Sequence, residues 1–553
     1  MTEASPRDHL LFYLNGERRR VAGPAVFGTL TEYLRDDLRL VGTKVVCAEG
    51  DCGACSVLVG RPRGDRLEYR PIDACIAFLH QLDASHVVTV EGLARGGRLH
   101  PVQQAMIDGY GSQCGFCTPG IVMALAGLFE ERSASGADGS LSDAQVRQAL
   151  TGNLCRCTGY WQILESVAAV DAAAVPRVAD LYEEPAMLAE LRAAAREPVH
   201  IATPAVATPA FAAAAVATPA VAAAPRELFL ADTLDAACRF KAEHPDCLVV
   251  AGATDVAVRR NKGALEPDRV LALGPRLPGF ADAAIEGGVL RAGAGATWAR
   301  LLELAAGAVP ELARILERFG APQIRNAATV GGNLANASPI ADSLPFLYVA
   351  GAVLELHGRT GARRVPIESF YRGYKTIDLA PDELIASVEV PLPSPEEELR
   401  LFKLSRRRAL DISTFTAAIL LRREGGAVAS ARLAYGGVGP TVARLHRTEA
   451  FLAGRRFDLD TLRRAGAIAA SEVTPWTDVR GSEAYRRKLA ENVLLKLILD
   501  GDAGPADGTG ISGGGEEHGS GRSGSRQAAP LLPSSGSRQA APLLPNDAEG
   551  RRI

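Results

Sequence analysis

Four cysteines between residues 114 and 157 constrain this chain more than any other feature. They form a C-x2-C pair and a C-x-C pair, each with a glycine beside it: Cys114, Cys117, Cys155 and Cys157. Thiolates at this spacing are what a chain needs to hold an iron–sulfur cluster, because two sulfurs two or three residues apart can reach a single iron. The alternatives are two disulfides or a structural zinc site, although four-cysteine zinc sites usually repeat the C-x2-C pair. The spacing therefore favours a cluster.

A second group of four cysteines lies upstream. It has the spacing C-x4-C-x2-C with a distant fourth member, which is the spacing of plant-type two-iron ferredoxins: Cys47, Cys52, Cys55 and Cys75. Gly50 and Gly53 let this loop wrap tightly and present its amides to the cluster sulfurs. We call the upstream group the first cysteine set and the downstream group the second cysteine set. The sequence predicts one cluster at each.

The residues around the two sets predict different folds. Residues 9–14 and 18–21 are predicted to be strands joined by an Asn-Gly turn, and a helix is predicted over 29–38. Around the second cysteine set the pattern is helical, with helices predicted to begin near Pro101, Pro119, Leu141 and Trp161. The first set therefore belongs to a small sheet domain and the second to a helical domain.

Length and composition narrow the class of protein. A chain of 553 residues implies roughly three to five domains. The net charge of -3 gives no electrostatic case for nucleic acid or an anionic membrane, and no apolar run approaches a membrane span. Residues 1–15 lack the apolar stretch of a secretory signal, so we expect a cytoplasmic protein with reduced thiols. Cys238 and Cys247, outside both sets, are expected to be buried thiols without a role.

Two stretches in the middle of the chain indicate a nucleotide site. Residues 248–256 form an apolar strand that runs into a small-residue turn, where backbone amides can approach a phosphate. Alone, such a turn is as readily an ordinary strand–loop connection. Residues 319–342 add two adjacent glycines, hydroxyls and amides that suit a pyrophosphate and a ribityl chain. Neither stretch contains the G-x-G-x-x-G fingerprint of a Rossmann domain.

With their flanking segments 113–120 and 153–160, the eight cysteines resemble the paired two-iron domains of the molybdenum hydroxylases, the xanthine dehydrogenase and aldehyde oxidase family. The middle of the chain resembles the FAD domain of the same family. The resemblance implies an α+β multidomain chain with a β-grasp ferredoxin-like domain at 8–92, a four-helix iron–sulfur domain at 93–175, an α/β FAD-binding domain at 226–395 and an α+β C-terminal flavoprotein lobe at 396–500.

Two further segments are assigned from composition. Residues 176–225 contain repeated Thr-Pro-Ala units and are predicted to be a semi-rigid Pro/Ala-rich linker. The Gly/Ser-rich tail at 501–553 carries a near-perfect duplication and is predicted to be disordered, because it cannot bury a core.

The resemblance also implies a set of FAD contacts. Phe319 would lie near the flavin or adenine rings, Asp342 would bond the polar flavin or ribityl edge, and Lys403 would supply a positive charge. Core packing is the alternative for Phe319 and Ile385. The family often has a polar residue where Ala253 stands, so contact there would be through the backbone. The full set is Val249, Val250, Ala251, Gly252, Ala253, Thr254, Asp255, Val256, Phe319, Thr329, Gly332, Asn333, Asp342, Ile385 and Lys403.

The implied function is that of an electron-transfer subunit. Clusters pass single electrons and a flavin collects two, so the series converts between one-electron and two-electron chemistry. Family members that hydroxylate purines or aldehydes carry a further molybdopterin domain, whereas only the tail follows residue 500 here. We therefore expect no catalytic residue in this chain and a molybdopterin-binding large subunit as partner, in a heterotetramer or larger assembly. Gln113 would lie at the pterin edge of that partner, or would only surround the cluster.

The fused order, clusters and then flavin, favours oxidation of hypoxanthine and xanthine to urate. Electrons would pass from the second cysteine set to the first, then to FAD and to NAD. An aldehyde or N-heterocycle hydroxylase is the alternative within the family. Outside it, a stand-alone iron–sulfur flavoprotein carrier needs no partner, and a cluster-based sensor would typically add a nucleic-acid module that the sequence does not indicate.

Overall fold

The protein is described by a computed structural model that covers residues 5–136, 141–182, 184–204 and 225–499. The predicted disordered tail at 501–553 lies outside these described residues, as does the 205–224 part of the predicted linker. Within the described ranges, none of the helices combines the length and the apolar character that crossing a bilayer requires.

The first cysteine set belongs to a domain with a five-stranded mixed sheet of spatial order β2-β1-β5-β3-β4, in which only β1 and β5 run parallel. Asn15 and Gly16 have φ values of 51° and 85°, as a tight hairpin turn between two strands requires, so the predicted hairpin is confirmed. The predicted helix begins as α1, capped by Thr29, and continues as the π-helical turn Tyr33–Asp37. The elements are β1 (Leu10–Leu14), β2 (Glu17–Val21), α1 (Leu30–Glu32), β3 (Ser56–Arg63), β4 (Arg66–Asp73) and β5 (His86–Val88).

The second cysteine set lies among four helices that begin where the sequence predicts. Ser142 caps α5 by accepting a hydrogen bond from the Gln145 amide, and Pro119 occupies the first turn of α4. The buried half of α4 packs on β3 and β4, where Gly127 lies against Pro71 and Leu58, so the two domains share a core. The four helices are α3 (Pro101–Asp108), α4 (Thr118–Ser135), α5 (Asp143–Ala149) and α6 (Trp161–Ala168), and the short helix α2 (Val90–Leu93) precedes them.

The predicted linker over 176–225 is wrong for its first part. Residues 184–203 form α7 (Glu184–Ala194) and β6 (Val199–Thr203). The helix buries one apolar face, made of Met187, Leu188, Leu191 and Ala194, and the strand alternates buried and exposed residues. Both periodicities are present in the sequence, but the neighbouring Pro/Ala repeats obscured them. This segment packs on the first domain, where Tyr13 Oη donates a hydrogen bond to Glu190 Oε2 at 2.5 Å.

The FAD-binding region is built from two sheets. A four-stranded sheet of order β6-β7-β9-β8 receives β6 as its antiparallel edge, while the other pairs are parallel. A five-stranded antiparallel sheet of order β10-β11-β16-β12-β13 follows, and β14 pairs with β15. The strands are β7 (Arg226–Leu230), β8 (Leu248–Val250), β9 (Arg269–Ala272), β10 (Ala283–Glu286), β11 (Val289–Gly293), β12 (Val353–Gly358), β13 (Gly361–Pro366), β14 (Tyr371–Gly373), β15 (Thr376–Ile377) and β16 (Leu384–Pro391).

The helices of this region connect and cover the two sheets. The largest hydrophobic cluster of the chain lies beneath them and includes Trp298, Phe346 and Phe370. Cys238 and Cys247 are both buried in it, as predicted. The helices are α8 (Leu234–Glu243), α9 (Val256–Asn261), α10 (Trp298–Ala308), α11 (Pro310–Leu316), α12 (Pro322–Ala327), α13 (Val330–Asn336), α14 (Leu344–Ala350) and α15 (Ile367–Phe370).

The C-terminal lobe has a sheet of order β17-β18-β19-β20 that packs on helices. Its elements are β17 (Glu397–Leu404), β18 (Phe415–Glu424), β19 (Ala427–Gly436), β20 (Ala443–Arg444), α16 (His446–Leu452), α17 (Leu459–Ser471), α18 (Glu483–Asn492) and α19 (Lys496–Leu499). With this lobe, the predicted α+β multidomain fold is confirmed.

Candidate functional site

The first cysteine set lies in the loop between α1 and β3 and in the turn after β4. Three of its thiols are buried and that of Cys47 is half-buried. The loop curls around Cys47, because the amides of Glu49 and Asp51 point at its Sγ from 3.5 and 3.4 Å. Amides directed at a thiolate sulfur are contacts that tune an iron–sulfur site. The loop is thus shaped to hold a negatively charged sulfur cluster.

The thiols of the first cysteine set contact one another, and these contacts shift their pKa values. Hydrogen bonds from the thiols of Cys52 and Cys75, with the loop amides, lower the pKa of Cys47. Burial, with the adjacent Cys47 thiolate, raises the pKa of Asp73 to about 7, and its Oδ1 lies 3.8 Å from Cys55 Sγ. A metal ion favours the thiolate form of every thiol that coordinates it. The crowding of four thiols in a buried loop therefore suits a metal-bound state.

The second cysteine set is more exposed. Cys114 and Cys157 are exposed, and Cys157 Sγ lies 3.7 Å from Cys114 Sγ. Two thiolates bound to one metal by bonds of about 2.3 Å at a tetrahedral angle lie about 3.8 Å apart. Cys117 contacts Cys155 in turn, and burial together with that contact raises the pKa of Cys117 to about 12. These contacts join one member of each pair, whereas the sequence suggested that neighbours within a pair share an iron.

Polar side chains fix the loop of the second cysteine set. The Tyr160 hydroxyl accepts a hydrogen bond from the Cys155 amide at 2.8 Å and donates to the Asn153 carbonyl at 3.0 Å. Thr158 Oγ1 lies 2.9 Å from Cys155 Sγ, and Thr118 Oγ1 donates to Ser112 Oγ at 2.8 Å. Thiol positions are therefore held by side chains as well as by the backbone.

The geometry disfavours both alternatives to a cluster. All ten cysteines are free thiols, so no disulfide links members of either set. In the described part of the chain, no three His, Cys, Asp or Glu side chains are grouped closely enough to hold one metal ion. A two-iron cluster spreads its four thiolates over two metal atoms, whereas a zinc ion gathers all four around one. The arrangement therefore fits a two-iron cluster better than zinc.

The loops of the two sets are in direct contact. The Leu154 amide donates to the Cys52 carbonyl at 2.9 Å, and Asn153 Nδ2 donates to the Gly53 carbonyl at 3.0 Å. Gly53 has a φ of 64°, and a Cβ on it would lie 2.3 Å from the Gly152 carbonyl oxygen. Only glycine permits this approach. The two cysteine sets thus share one backbone-to-backbone interface.

The first FAD-related stretch forms β8 and the turn into α9. Ala253 has a φ of 59°, a left-handed value that a non-glycine residue rarely adopts. The amides of residues 252–255 donate no hydrogen bond within the described residues. Gly252 packs on the second stretch, since a Cβ there would lie 2.3 Å from the Ala327 carbonyl oxygen. Free amides in a tight turn are donors for phosphate oxygens.

The second FAD-related stretch supplies α13 and the residues that follow it. Thr329 caps α13 by accepting from the Gly332 amide at 3.1 Å, and Ser343 Oγ donates to Asn333 Oδ1 at 2.6 Å. Gly332 is exposed, and a Cβ there would meet only Thr329 Oγ1 within 4 Å. Gly332 leaves open backbone on the same stretch whose Ala327 and Ala328 contact Gly252 of the first stretch. Together they form a cradle of the kind that a dinucleotide needs.

Asp342 and Lys403 form a buried ion pair beside this cradle. Lys403 Nζ lies 2.6 Å from Asp342 Oδ2, and the side chains are 2% and 10% exposed. Ser413 joins them, since its Oγ donates to Asp342 Oδ1 at 2.6 Å and accepts from Lys403 Nζ at 2.8 Å. The sequence assigned Asp342 and Lys403 to the cofactor separately and missed Ser413. A serine in a loop with three consecutive arginines gave no signal for it.

The two apolar members of the FAD set differ in exposure. Phe319 is half-buried, and its ring lies 5.1 Å from that of Trp298. Ile385 is 7% exposed within β16 and packs in the core. For Ile385, the alternative of core packing describes its surroundings in this structure.

The FAD-related cradle also contacts the first cysteine set. Asn261, at the end of α9, donates through Nδ2 to the Cys75 carbonyl at 2.8 Å and to the Ala48 carbonyl at 2.9 Å. Gln81 Nε2 donates to the Ala251 carbonyl at 2.6 Å. The first cysteine set thus lies between the second cysteine set and the cradle.

An apolar surface surrounds the exposed thiols of the second cysteine set. We call it the port surface, and its members are between 48% and 82% exposed: Ile107, Tyr110, Phe116, Leu154 and Trp161. Gln113 is exposed among them. Exposed apolar residues grouped in this way mark interaction sites.

Comparison with known proteins agrees with this architecture. Three family models match: the [2Fe-2S] binding domain over residues 89–168, the FAD binding domain in molybdopterin dehydrogenase over 224–393, and the CO dehydrogenase flavoprotein C-terminal domain over 400–500. The xanthine dehydrogenase of Emericella nidulans is 31% identical over 535 residues, which cover 89% of this chain and 38% of the relative. Aldehyde oxidase 2 of Rattus norvegicus is 29% identical, over 89% of this chain and 39% of the relative.

Among solved structures, a chain of the carbon monoxide dehydrogenase from Hydrogenophaga pseudoflava is similar. It is 25% identical, the similarity covers 49% of this chain and 94% of that chain, and the TM-score is 0.47. The present chain spans about two fifths of the length of the curated relatives it matches.

Fold, thiols and flavin cradle together define an iron–sulfur flavoprotein oxidoreductase chain. Its matched domains include one found in molybdopterin dehydrogenases and one found in the CO dehydrogenase flavoprotein. The chain is therefore similar to the electron-transfer domains of the molybdenum hydroxylase family.

Proposed function

We propose that this chain is the electron-transfer subunit of a xanthine dehydrogenase. The observation that carries the proposal is the fused order of iron–sulfur, FAD-binding and flavoprotein C-terminal domains, aligned over 89% of the chain with a xanthine dehydrogenase at 31% identity. An aldehyde-oxidising enzyme is the second candidate, because an aldehyde oxidase aligns over the same share at 29% identity.

In this proposal each cysteine set binds one two-iron cluster. Thiols within each set are in pairwise contact, and the loop amides at Cys47 supply hydrogen bonds of the kind that stabilise a charged sulfur cluster. The clusters supply one-electron transfer and the flavin converts it to two-electron transfer. The residues of this chain hold these groups at fixed positions, and none of them acts as a catalytic acid or base.

FAD is proposed to bind in the cradle between the two stretches. The free amides of residues 252–255 would bind phosphate oxygens, and Thr329, Gly332 and Asn333 would follow the ribityl chain. The ion pair of Lys403 and Asp342 gives the flavin edge a fixed charge and a hydrogen-bonding partner. Of the remaining members of the predicted set, Val249, Val250, Ala251, Val256 and Phe319 would shape the apolar walls, and Ile385 would support them from the core.

NAD is proposed as the final acceptor. Tyr374 and Trp476 are 59% and 39% exposed, and their rings lie 6.0 Å apart beside the loop that carries Ser413. Lys375 Nζ donates to Asn336 Oδ1 at 2.8 Å, which ties this aromatic pair to the end of α13. Exposed ring faces next to the flavin cradle suit a nicotinamide or adenine ring.

The molybdenum site is proposed to lie on a partner chain that binds the port surface. The port surface exposes apolar side chains near the cysteine set that has two exposed thiols, so a partner that binds there would meet the entry point for electrons. In this proposal the partner oxidises hypoxanthine or xanthine with water as the oxygen source, and the assembly is a cytoplasmic heterotetramer or larger. Gln113 would contact the partner.

The test is to isolate the tagged full-length chain with its bound partners from its native host. We expect a large molybdenum-containing chain to copurify and the eluate to reduce NAD when xanthine is added. Turnover of aldehydes but not of xanthine would establish the second candidate. An eluate that contains flavin and iron but no large partner would refute the subunit assignment.

A further inference from the structure

A buried group of three polar side chains joins the loops of both cysteine sets to the flavin domain. Ser56, Asn153 and Gln323 are 2%, 3% and 1% exposed. Ser56 starts β3, Asn153 precedes the C-x-C pair, and Gln323 lies in α12. We call this group the three-domain node. Hydrogen bonds between buried polar side chains fix the arrangement of the parts that they connect. Among the described residues, Gln323 Oε1 is the one amide atom of the node without a hydrogen-bond partner.

Gln323 is the centre of the three-domain node. Its Nε2 donates to Asn153 Oδ1 at 2.8 Å and to Ser56 Oγ at 3.1 Å. Asn153 uses its own amide group to donate to the Gly53 carbonyl, so Gln323 fixes which way the Asn153 side chain points. Gly152 leaves room for this contact, since a Cβ there would lie 2.1 Å from Gln323 Oε1. Gln323 therefore acts on the cysteine loops without touching a thiol.

The node holds the shortest connection between the two sets that the structure shows. The Leu154 amide, one residue before Cys155, donates to the carbonyl of Cys52 at 2.9 Å. A path from one thiol ligand to the other therefore consists of covalent bonds and a single hydrogen bond. An electron tunnels faster along bonds and hydrogen bonds than across a gap, so lengthening this one hydrogen bond would slow the transfer.

We propose that the hydrogen bond from Leu154 to Cys52 is the bridge over which electrons pass between the cysteine sets, and that Gln323 is the positioning residue that holds it closed. This inference rests on the proposed function, in which each set carries a two-iron cluster. In each step one electron leaves the cluster of the second set, which is oxidised, and enters the cluster of the first set, which is reduced. No proton moves and no covalent bond forms or breaks.

Gln323 also connects this bridge to the flavin cradle. It belongs to α12, whose last residue Ala327 contacts Gly252 of the first FAD-related stretch. In the same helix Asn326 Nδ2 donates to the Pro71 carbonyl at 2.9 Å, close to the first cysteine set. One short helix therefore positions the inter-set bridge and one wall of the cradle.

The experiment compares Gln323→Leu with Gln148→Leu in the full-length chain loaded with iron, sulfide and FAD. Gln148 is a matched control, because its Nε2 also donates from the helical domain to the flavin domain, at the Glu317 carbonyl, but on an exposed surface away from the node. A one-electron photoreductant is flashed, and electron arrival at FAD is followed by absorbance. Redox titration with electron paramagnetic resonance gives the potential of each cluster and their magnetic interaction.

We expect Gln323→Leu to slow electron arrival at FAD several-fold and to weaken the magnetic interaction, with cluster potentials and flavin content unchanged. Gln148→Leu should match the unaltered chain. Equal rates in all three chains would overturn the inference. If the Gln323→Leu chain loses a cluster, the Gln323→Glu chain is measured instead. Glutamate has the size of glutamine but lacks the amide hydrogens that are donated to Asn153 and Ser56. A rate for Gln323→Glu equal to that of the unaltered chain would then overturn it.

The same measurements separate this inference from the proposed function. An unaltered chain that delivers electrons to FAD but supports no xanthine oxidation with its partner refutes the proposed substrate and leaves the bridge standing. A Gln323→Leu chain that supports xanthine oxidation and transfers electrons at the unaltered rate refutes the bridge alone.

Discussion

The two cysteine sets differ in exposure, and the difference assigns them different tasks. Three of the four thiols in the first set are buried, and its loop is bonded to the helical domain and to α9 of the flavin domain. The second set exposes Cys114 and Cys157 within the apolar port surface. An electron from outside therefore meets the second set first, because in the first set only Cys47 is partly exposed. The difference in burial therefore sets the order in which an external electron reaches the two centres, although both are built from four thiols.

The largest effect should come from removing one ligand of each set. Cys114→Ser is expected to abolish electron delivery from a partner to FAD while flavin stays bound, because Cys114 lies at the surface. Cys52→Ser should also reduce flavin content, because the Ala48 and Cys75 carbonyls of the first set accept hydrogen bonds from Asn261 of α9. Iron, acid-labile sulfide and FAD are measured on both purified chains. Loss of flavin from the Cys114→Ser chain would contradict the separation of the two centres.

The sequence predicted the thiols well and the contacts between them poorly. Cysteine spacing is local, so C-x4-C-x2-C and the two later pairs could be recognised without knowing the fold. The Asn15-Gly16 hairpin and the caps of α4 and α5 are local in the same sense. The thiol contact between Cys157 and Cys114 joins loops 43 residues apart and depends on how the helices pack. No spacing rule contains that information.

The flavin site shows the same limit. The two FAD-related stretches were visible as small-residue turns, but Ser413 was not, because it acquires its role only when β17 brings Lys403 beside Asp342. The predicted linker failed for a related reason. The Pro/Ala repeats dominated the composition of 176–225, whereas the apolar face of α7 is decided by four positions that meet the first domain. The average composition of a long segment does not reveal a short amphipathic helix within it.

The next effect concerns access of reagents to the two sets. An iron chelator under mild oxidation should remove the cluster of the second set first, because Cys114 and Cys157 are exposed, and that of the first set much later. The two clusters are followed separately by electron paramagnetic resonance during the treatment. Binding of the proposed partner should remove the difference by covering the port surface. Simultaneous loss of both signals from the free chain would contradict the difference in exposure between the two cysteine sets.

A smaller effect is expected at the port surface itself. Trp161→Ser should weaken binding of the proposed partner by about 2 kcal/mol, since exposed aromatic side chains often carry a large share of interface energy. Cluster content should not change, because the Trp161 side chain is 64% exposed and is not one of the eight thiol ligands proposed here. Tyr485→Ser, which removes an aromatic side chain 52% exposed on the C-terminal lobe, is the control. Equal loss of affinity in both variants would place the partner elsewhere.

The smallest effect is the pH dependence of stability in the domain that carries the first cysteine set. His80 is buried, stacks on Phe78 at 5.2 Å, and burial lowers its pKa to about 3. The folded chain therefore favours neutral His80, so its contribution to stability is complete above a pH of about 6.5 and is lost as pH falls towards 3. Because of His80, the free energy of unfolding should be about 1.4 kcal/mol smaller at pH 5.5 than at pH 7.5.

His80→Leu should remove that part of the pH dependence, because leucine cannot bind the proton that the buried imidazole resists. Urea unfolding of both chains at pH 7.5 and pH 5.5 measures the difference, with a probe of the first cysteine set as the signal. The variant should lose less stability than the unaltered chain on acidification. Equal losses of unfolding free energy in the two chains would show that water reaches His80 in the domain that carries the first cysteine set. The contrast between a buried first set and an exposed second set would then hold for the thiols but not for that domain.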